Sequence, residues 1–363
     1  MNDVLKPELI WIEGRCYRVN DVMTNVSAFQ EQDLYETELP YGINEDENDE
    51  DDNKIEIKKV DDNRYCTSFH VSKHYLGSII GKKGATVSRI GRDTKTDIKI
   101  PRHGENKDIS IYGSNESSIK AAKRRINIIV MSSRMKQTAT HFISIPMNLP
   151  NIMKQFENFK ASVLRECSGV GLEESLFIRA EKLHLTVGVL CLMDNEERLT
   201  ASKLLTEARD KYITQLLQNY QPLKIRLKGL SYMNDDPKEI DVLYGRVEEV
   251  NAPAGLLQQV VDAIVTHFYK AGFMDKEYGR DNVKMHVTLL NSKYRGRVKG
   301  VDEDTNVKKN KKRETFDGSQ ILSKFSDYDF GTIELNDIHL SQRNSMGPDG
   351  YYQSTCVISC NKQ

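Results

Sequence analysis

Two histidine–threonine pairs carry the chemistry this chain could do. His184 and Thr186 sit in Lys182-Leu183-His184-Leu185-Thr186-Val187, and His286 and Thr288 in Lys284-Met285-His286-Val287-Thr288-Leu289. Both copies read Lys, apolar, His, apolar, Thr, apolar. On a β-strand successive side chains alternate between faces, so Lys, His and Thr share one face and the apolar residues the other. Histidine changes charge near neutral pH, so one imidazole of a pair can accept a proton while the other donates one. Threonine hydroxyls can donate to non-bridging phosphate oxygens, where negative charge gathers in the transition state. Converging on one cleft, these four side chains predict phosphodiester chemistry with no metal and no cofactor; no acidic cluster flanks either copy. Lys182 and Lys284 add positive charge or mark the rim. A lone His-apolar-Thr is usually a packed or surface histidine. His339-Leu340-Ser341 is read as such a structural strand, because it lacks the leading Lys and the Thr.

The elements that must position the pair lie in residues 138–363. His141 to Pro146 reads as a strand, followed by a helix from about Ile152 to Cys167 and the first His strand. A helix from Asp194 to about Leu217 follows, then strands Leu223 to Met233 and Asp241 to Val247. Ala254 to Ala271 is a helix, and the second His strand comes after it. A basic, polar loop spans about Arg295 to Gly318. Strands Gly331 to Leu335, Ile338 to Gln342 and Tyr352 to Ser359 close the chain. This predicts two related α+β lobes facing each other, each supplying one His-x-Thr strand. His184-Leu185-Thr186 and His286-Val287-Thr288 resemble the two-histidine phosphoesterase superfamily, which includes LigT-like RNA ligases and cyclic phosphodiesterases. The resemblance implies a bilobal α+β fold, His184 and His286 as the acid/base pair, and Thr186 and Thr288 as phosphate binders. It implies substrates with 2',3'-cyclic phosphates or 2'-5' linkages at RNA or nucleotide ends. Which histidine is the acid stays open.

Residues 63–137 carry a second pattern. A strand from Tyr65 is followed by a short helix, Gly81-Lys82-Lys83-Gly84, a helix from Ala85 to Arg92, strands Thr96–Ile100 and Ile109–Gly113, and a long helix capped by Ser114 or Asn115. The order is β-α-α-β-β-α. With Ile79-Ile80-Gly81 before the glycine loop and Val87-x-x-Ile90 after it, the segment resembles a type I KH domain. Glycines at 81 and 84 let a sugar-phosphate chain approach the backbone, and Lys82 and Lys83 add charge. Such a domain clamps about four single-stranded nucleotides. Lys99 and Arg102 are expected near the groove. A KH fold that mediates only protein contact is the competing reading.

Net charge supports the nucleic-acid reading. The 363-residue chain carries a net charge of -1, but residues 1–62 sum to -12 and residues 63–137 to +11. A basic module of that size suggests a polyanion partner, single-stranded RNA or, second, single-stranded DNA. Residues 21–62, with Glu45-Asp46-Glu47-Asn48-Asp49-Glu50-Asp51-Asp52, are expected to be an acidic disordered linker; the other option is an arm that folds back on the basic module. Six scattered cysteines form no C-x-x-C pair, which suggests reduced thiols of the cytosol or nucleus. No apolar run approaches the roughly 20 residues that span a bilayer, so no membrane is expected.

Residues 1–20 read as two strand-like pieces around Gly14, carrying the only Trp. They either pack on the body or dock on a partner, and a partner-docking segment is expected. Leu5-Lys6-Pro7-Glu8-Leu9-Ile10, Gly14-Arg15-Cys16-Tyr17-Arg18, Tyr232-Met233-Asn234-Asp235-Asp236-Pro237, Asp241-Val242-Leu243-Tyr244 and Ile338-His339-Leu340-Ser341-Gln342-Arg343 carry a further resemblance, to a family of nuclear complex subunits. It implies a helicase subunit as partner, transcription coactivation and alkylation-damage repair, and a nuclear location with the cytoplasm second. Lys308-Lys309-Asn310-Lys311-Lys312-Arg313 is either an import signal or a solvated loop. The competing function is a non-catalytic scaffold or sensor.

Overall fold

The computed structural model describes residues 9–12, 15–18, 55–61, 63–102, 105, 107–275, 282–296 and 313–361, the first two segments by backbone alone. The acidic run 45–52 and most of the basic loop lie outside the described residues.

Strands β1 (Leu9–Ile12) and β2 (Arg15–Arg18) pair as an antiparallel hairpin, Ile12 opposite Arg15. Strand β3 (Lys58–Asp61) pairs antiparallel with β4 (Arg64–Phe69). This corrects the expected disorder of residues 21–62 at its C-terminal end. All four β3 side chains are exposed, and an edge strand tolerates charges that a buried strand would not.

Helix α1 (Lys73–Ile80) leads into the glycine loop, and α2 (Ala85–Thr94) leaves it. Strands β5 (Thr96–Lys99) and β6 (Ile109–Gly113) precede α3 (Glu116–Met135). Asn115 is the α3 cap: its side-chain oxygen accepts from the Ser118 amide at 2.8 Å. The sheet order is β3-β4-β6-β5.

The C-terminal body begins with β7 (His141–Pro146), α4 (Pro150–Glu166) and β8 (His184–Leu190). Helix α5 (Asn195–Ala208) starts on Asp194, whose carboxylate accepts from the Glu197 amide at 3.0 Å. A π-turn at Arg209–Ile213 joins it to α6 (Thr214–Leu217). Then come β9 (Lys224–Tyr232), β10 (Val242–Glu249), α7 (Leu256–Lys270), β11 (Val287–Asn291), α8 (Ser319–Phe325), β12 (Asp329–Glu334), β13 (Asp337–Met346) and β14 (Tyr352–Ser359).

Among the described residues these strands form one sheet, β12-β9-β10-β11-β8-β7-β13-β14. Four strands lie on each side of the β11–β8 seam. The two halves therefore meet edge to edge, as neighbouring strands, and not face to face. A single hydrophobic core underlies both halves, including Ile143, Phe159, Leu185, Val187, Val260, Val287 and Leu289.

The backbone divides into two compact units. One holds Met1–Thr67, Ile90–Asp97 and Ile111–Ile129; the other holds Ser68–Arg89, Ile98–Ser110 and Val130–Gln363. Helix α1 thus groups with the C-terminal body. Within that second unit Arg134 and Glu197, both nearly fully buried, form an ion pair at 2.6 Å. The Arg134 guanidinium also donates to the Gly272 carbonyl and lies over the rings of Phe273, at 4.3 Å, and Tyr75, at 5.4 Å. Glu197 accepts the Met193 amide at 2.7 Å. Arg134 Nε is buried without a hydrogen-bond partner, so the bonds of the other groups offset only part of the pair's desolvation. His70 Nε2 meets the Asp194 carboxylate at 2.9 Å.

Candidate functional site

The β8–β11 pairing brings the two His-x-Thr motifs together. Leu185 stands opposite Val287 in an antiparallel ladder. One residue either way along that register, His184 faces Thr288 and Thr186 faces His286. Leu185, Val187, Val287 and Leu289 are buried beneath the sheet. By alternation the two histidines and two threonines share the other face. Directly opposite residues have Cβ atoms about 4.5–5.5 Å apart and diagonal ones about 7–8 Å. The imidazoles therefore sit on one diagonal and the hydroxyls on the other, a spacing that admits a phosphate between the rings.

Both rings are held alike. His184 Nδ1 lies 2.7 Å from the Lys182 carbonyl, and His286 Nδ1 lies 2.8 Å from the Lys284 carbonyl. A carbonyl only accepts, so each Nδ1 carries a hydrogen and donates it. In its neutral form each ring then carries its lone pair on Nε2. The lysines are placed alike too. Lys182 lies over the Tyr352 ring and Lys284 over the Tyr244 ring, each at 5.3 Å. Tyr352 in turn edges onto His184 and Tyr244 onto His286, each at 5.4 Å between centroids.

His184 has further rings around it. Phe142 lies at 5.0 Å and Tyr351 at 6.5 Å. Desolvation by these neighbours pulls the imidazole down to about 4; the Lys182 carbonyl opposes that fall, and His286 reinforces it. His184 is then neutral at neutral pH, the state a general base requires.

His339 lies on this same face. It registers with Ser144 of β7, which registers with Thr186 of β8. Its ring packs against Tyr351 at 5.8 Å. It stands two strands from β8, outside the four-residue cluster. The aromatic rings Phe142, Tyr244, Tyr351 and Tyr352 were not anticipated from sequence. Phe142 and Tyr244 come from the strands flanking β8 and β11, and Tyr351 and Tyr352 from the β13–β14 turn and the start of β14, so finding them requires the sheet order.

The glycine loop has the backbone its residues dictate. Gly81 has φ 70°, and a Cβ there would fall 2.1 Å from Thr86 Oγ1. Gly84 has φ 81° with no atom within 4 Å of a Cβ, so its backbone faces open space. Lys83 adopts φ 54°, left-handed without being glycine. Lys82 and Lys83 are exposed, as are Lys99 at the end of β5 and Arg102 beyond it. Among the described residues no three His, Cys, Asp or Glu group as metal ligands, and no helix is long and apolar enough to cross a membrane.

Residues 139–359 match the family described as AKAP7 2'5' RNA ligase-like domain, and residues 66–128 match the KH domain family. The chain is 33% identical to Activating signal cointegrator 1 complex subunit 1 of Mus musculus over 97% of this chain and 98% of that protein. The chain belongs to that family. Vigilin of Homo sapiens is 28% identical over 110 residues, 30% of this chain and 8% of its own. Among solved structures, the first KH type I domain of human Vigilin matches 23% of this chain and 87% of its own, at 24% identity and a TM-score of 0.19. A phosphoesterase crystal structure matches 61% of this chain and 98% of its own, at 15% identity and a TM-score of 0.33. A KH domain followed by a 2'5' RNA ligase-like domain is thus this chain's layout.

Proposed function

We propose that the His184/Thr186/His286/Thr288 cluster is a phosphodiesterase site acting on RNA ends bearing 2',3'-cyclic phosphate or 2'-5' links, with residues 63–137 supplying single-stranded RNA to it. The supporting observation is Leu185 opposite Val287 in the β8–β11 ladder; extended one residue each way, that register opposes each histidine to the other motif's threonine. His184 Nε2 takes a proton from the attacking hydroxyl while protonated His286 supplies one to the leaving oxygen. Thr186 and Thr288 donate to the non-bridging oxygens. Gly81, Lys82, Lys83, Gly84, Lys99 and Arg102 contact the strand. Each motif lacking its histidine should lose about 10²- to 10⁴-fold in rate. The test incubates the purified chain with oligonucleotides carrying either end group; turnover undiminished in the His184→Ala/His286→Ala double variant rules the site out.

The relative's name as a complex subunit supports a second reading, in which the cleft binds an RNA end without turning it over. Tight binding of an end analogue with no product selects that reading. On the same 33% identity we propose a nuclear subunit of the activating signal cointegrator complex, partnered with its helicase and serving transcription coactivation and alkylation repair. The β1–β2 hairpin is the proposed docking segment. Loss of complex capture on deleting residues 1–20, with RNA binding retained, is the expected result; unchanged capture refutes the docking role.

A further inference from the structure

The two motifs are near copies, yet only one of them lies beneath the β13–β14 turn. That turn, Gly347-Pro348-Asp349-Gly350, delivers Tyr351 into the sheet face beside His184. It is held at both ends: the Asp349 carboxylate accepts the Tyr351 amide at 3.0 Å, and the Tyr351 carbonyl accepts the Gly347 amide at 2.7 Å. Gly350 lies against Glu181, where an added Cβ would come within 3.2 Å of the Glu181 side chain, so the turn rests on the segment that enters β8.

Tyr351 is 3% exposed. Its hydroxyl is 3.0 Å from Ser144 Oγ, which is 3.3 Å from Ser341 Oγ; both serines are fully buried. Leaving a member of this buried hydroxyl trio without its partners is unfavourable, so the ring has a defined seat. From that seat its edge meets His184 at 76° and His339 at 83°. Ser144 registers directly with Thr186. One hydrogen-bonded unit therefore reaches from the turn to the row of the sheet that carries the site.

We propose that Tyr351 is a positioning residue that limits water at the half-buried His184 ring and so makes His184, not His286, the proton acceptor of the pair. The inference rests on the phosphodiesterase reading for its consequence but not for its test. In the reaction, His184 Nε2 takes the proton of the attacking water or ribose hydroxyl as the new P–O bond forms. The old P–O bond breaks to the leaving oxygen, which takes its proton from the His286 imidazolium. Exchange with solvent then returns both rings to their starting states. The charged and titratable groups around His184 are Lys182, His286, Tyr352 and Tyr351, with Glu181 beneath the turn and His339, Asp337 and Asp349 behind Tyr351. None is a carboxylate in contact with the ring, so desolvation sets its protonation.

The experiment is imidazole C2 hydrogen exchange in D₂O, read by mass spectrometry across pH on the full chain with no substrate present. Exposed His74 serves as internal reference. In the parent chain the His184 midpoint is expected at about 4. Tyr351→Leu should raise it by about one unit or more and speed exchange at His184, leaving His74 unmoved. Tyr351→Phe keeps the ring and removes its anchor, and should move the midpoint the same way by less. An unmoved His184 midpoint in a folded Tyr351→Leu chain overturns the proposal. If that variant does not fold, an unmoved midpoint in Tyr351→Phe overturns it. Because no turnover is measured, a chain inert toward RNA refutes the phosphodiesterase reading and leaves this result standing.

Discussion

The glycine loop offers a sharp separation of folding from binding. Gly81 and Gly84 share a positive φ, 70° and 81°, but differ in surroundings. Alanine at Gly84 costs about 1–2 kcal/mol for its positive φ, and at Gly81, whose ψ of -177° lies in a region almost confined to glycine, about 1–3 kcal/mol. At Gly81 the new Cβ also falls 2.1 Å from Thr86 Oγ1 and 3.1 Å from the Thr86 amide nitrogen. Thr86 is buried in the first turn of α2, so relief requires moving that turn, adding about 1–3 kcal/mol. At Gly84 nothing stands within 4 Å, so no such term arises. Gly81→Ala should therefore destabilise by about 2–6 kcal/mol and Gly84→Ala by about 1–2 kcal/mol. Gly84→Asp should fold like Gly84→Ala but place a carboxylate where a phosphate would approach. At about 5 Å the repulsion is about 1–3 kcal/mol, or about 5- to 150-fold in affinity. Urea denaturation and fluorescence polarisation with a short single-stranded RNA measure the two quantities. Equal stability losses at both glycines, or unchanged affinity in Gly84→Asp, refute the reasoning.

Arg134→Met strands the buried Glu197 carboxylate and should cost about 3–5 kcal/mol, whereas Arg134→Met with Glu197→Met should recover most of it; a double variant as unstable as the single, in urea melts, contradicts the ion-pair account. Burial holds His141, as it does His184, down to about 4. The unfolded chain binds protons at these positions from about pH 6.5 downward while the folded chain does not, so stability present above pH 6.5 is lost as pH falls toward 4. Buried His141 alone contributes about 3 kcal/mol of that loss. Melting temperatures that stay level from pH 7 to 4 exclude it. Lys82→Ala with Lys83→Ala should flatten the salt dependence of RNA binding by about 1.4 in log–log slope, about 0.7 for each phosphate contact removed; an unchanged slope removes these lysines from the interface.

Much of this fold is legible in local patterns. The KH order follows from short alternating runs broken by glycines, and the Asn115 and Asp194 caps are side chains bonding within their own first turn. Strand β3 was hidden because lysine and aspartate outweigh one valine in a run of four, and only its pairing with β4 makes it a strand. The π-turn at Arg209–Ile213 interrupts what reads as one continuous helix. The four candidate residues are legible as types and spacing. Their arrangement is not: which threonine faces which histidine depends on register between strands remote in sequence. The same holds for the ring of Phe142, Tyr351 and Tyr352 around His184, drawn from β7 and the β13–β14 hairpin.

The seam at Leu185 and Val287 has one more consequence. Each opposed pair, His184 with Thr288 and Thr186 with His286, takes one member from each half of the sheet. A half-made or clipped chain holds both residue types yet owns no complete cradle. On the proposed phosphodiesterase reading the site is an AND gate on assembly: a nascent or damaged molecule with an intact KH loop is expected to stay inert toward RNA until both halves have zipped in register.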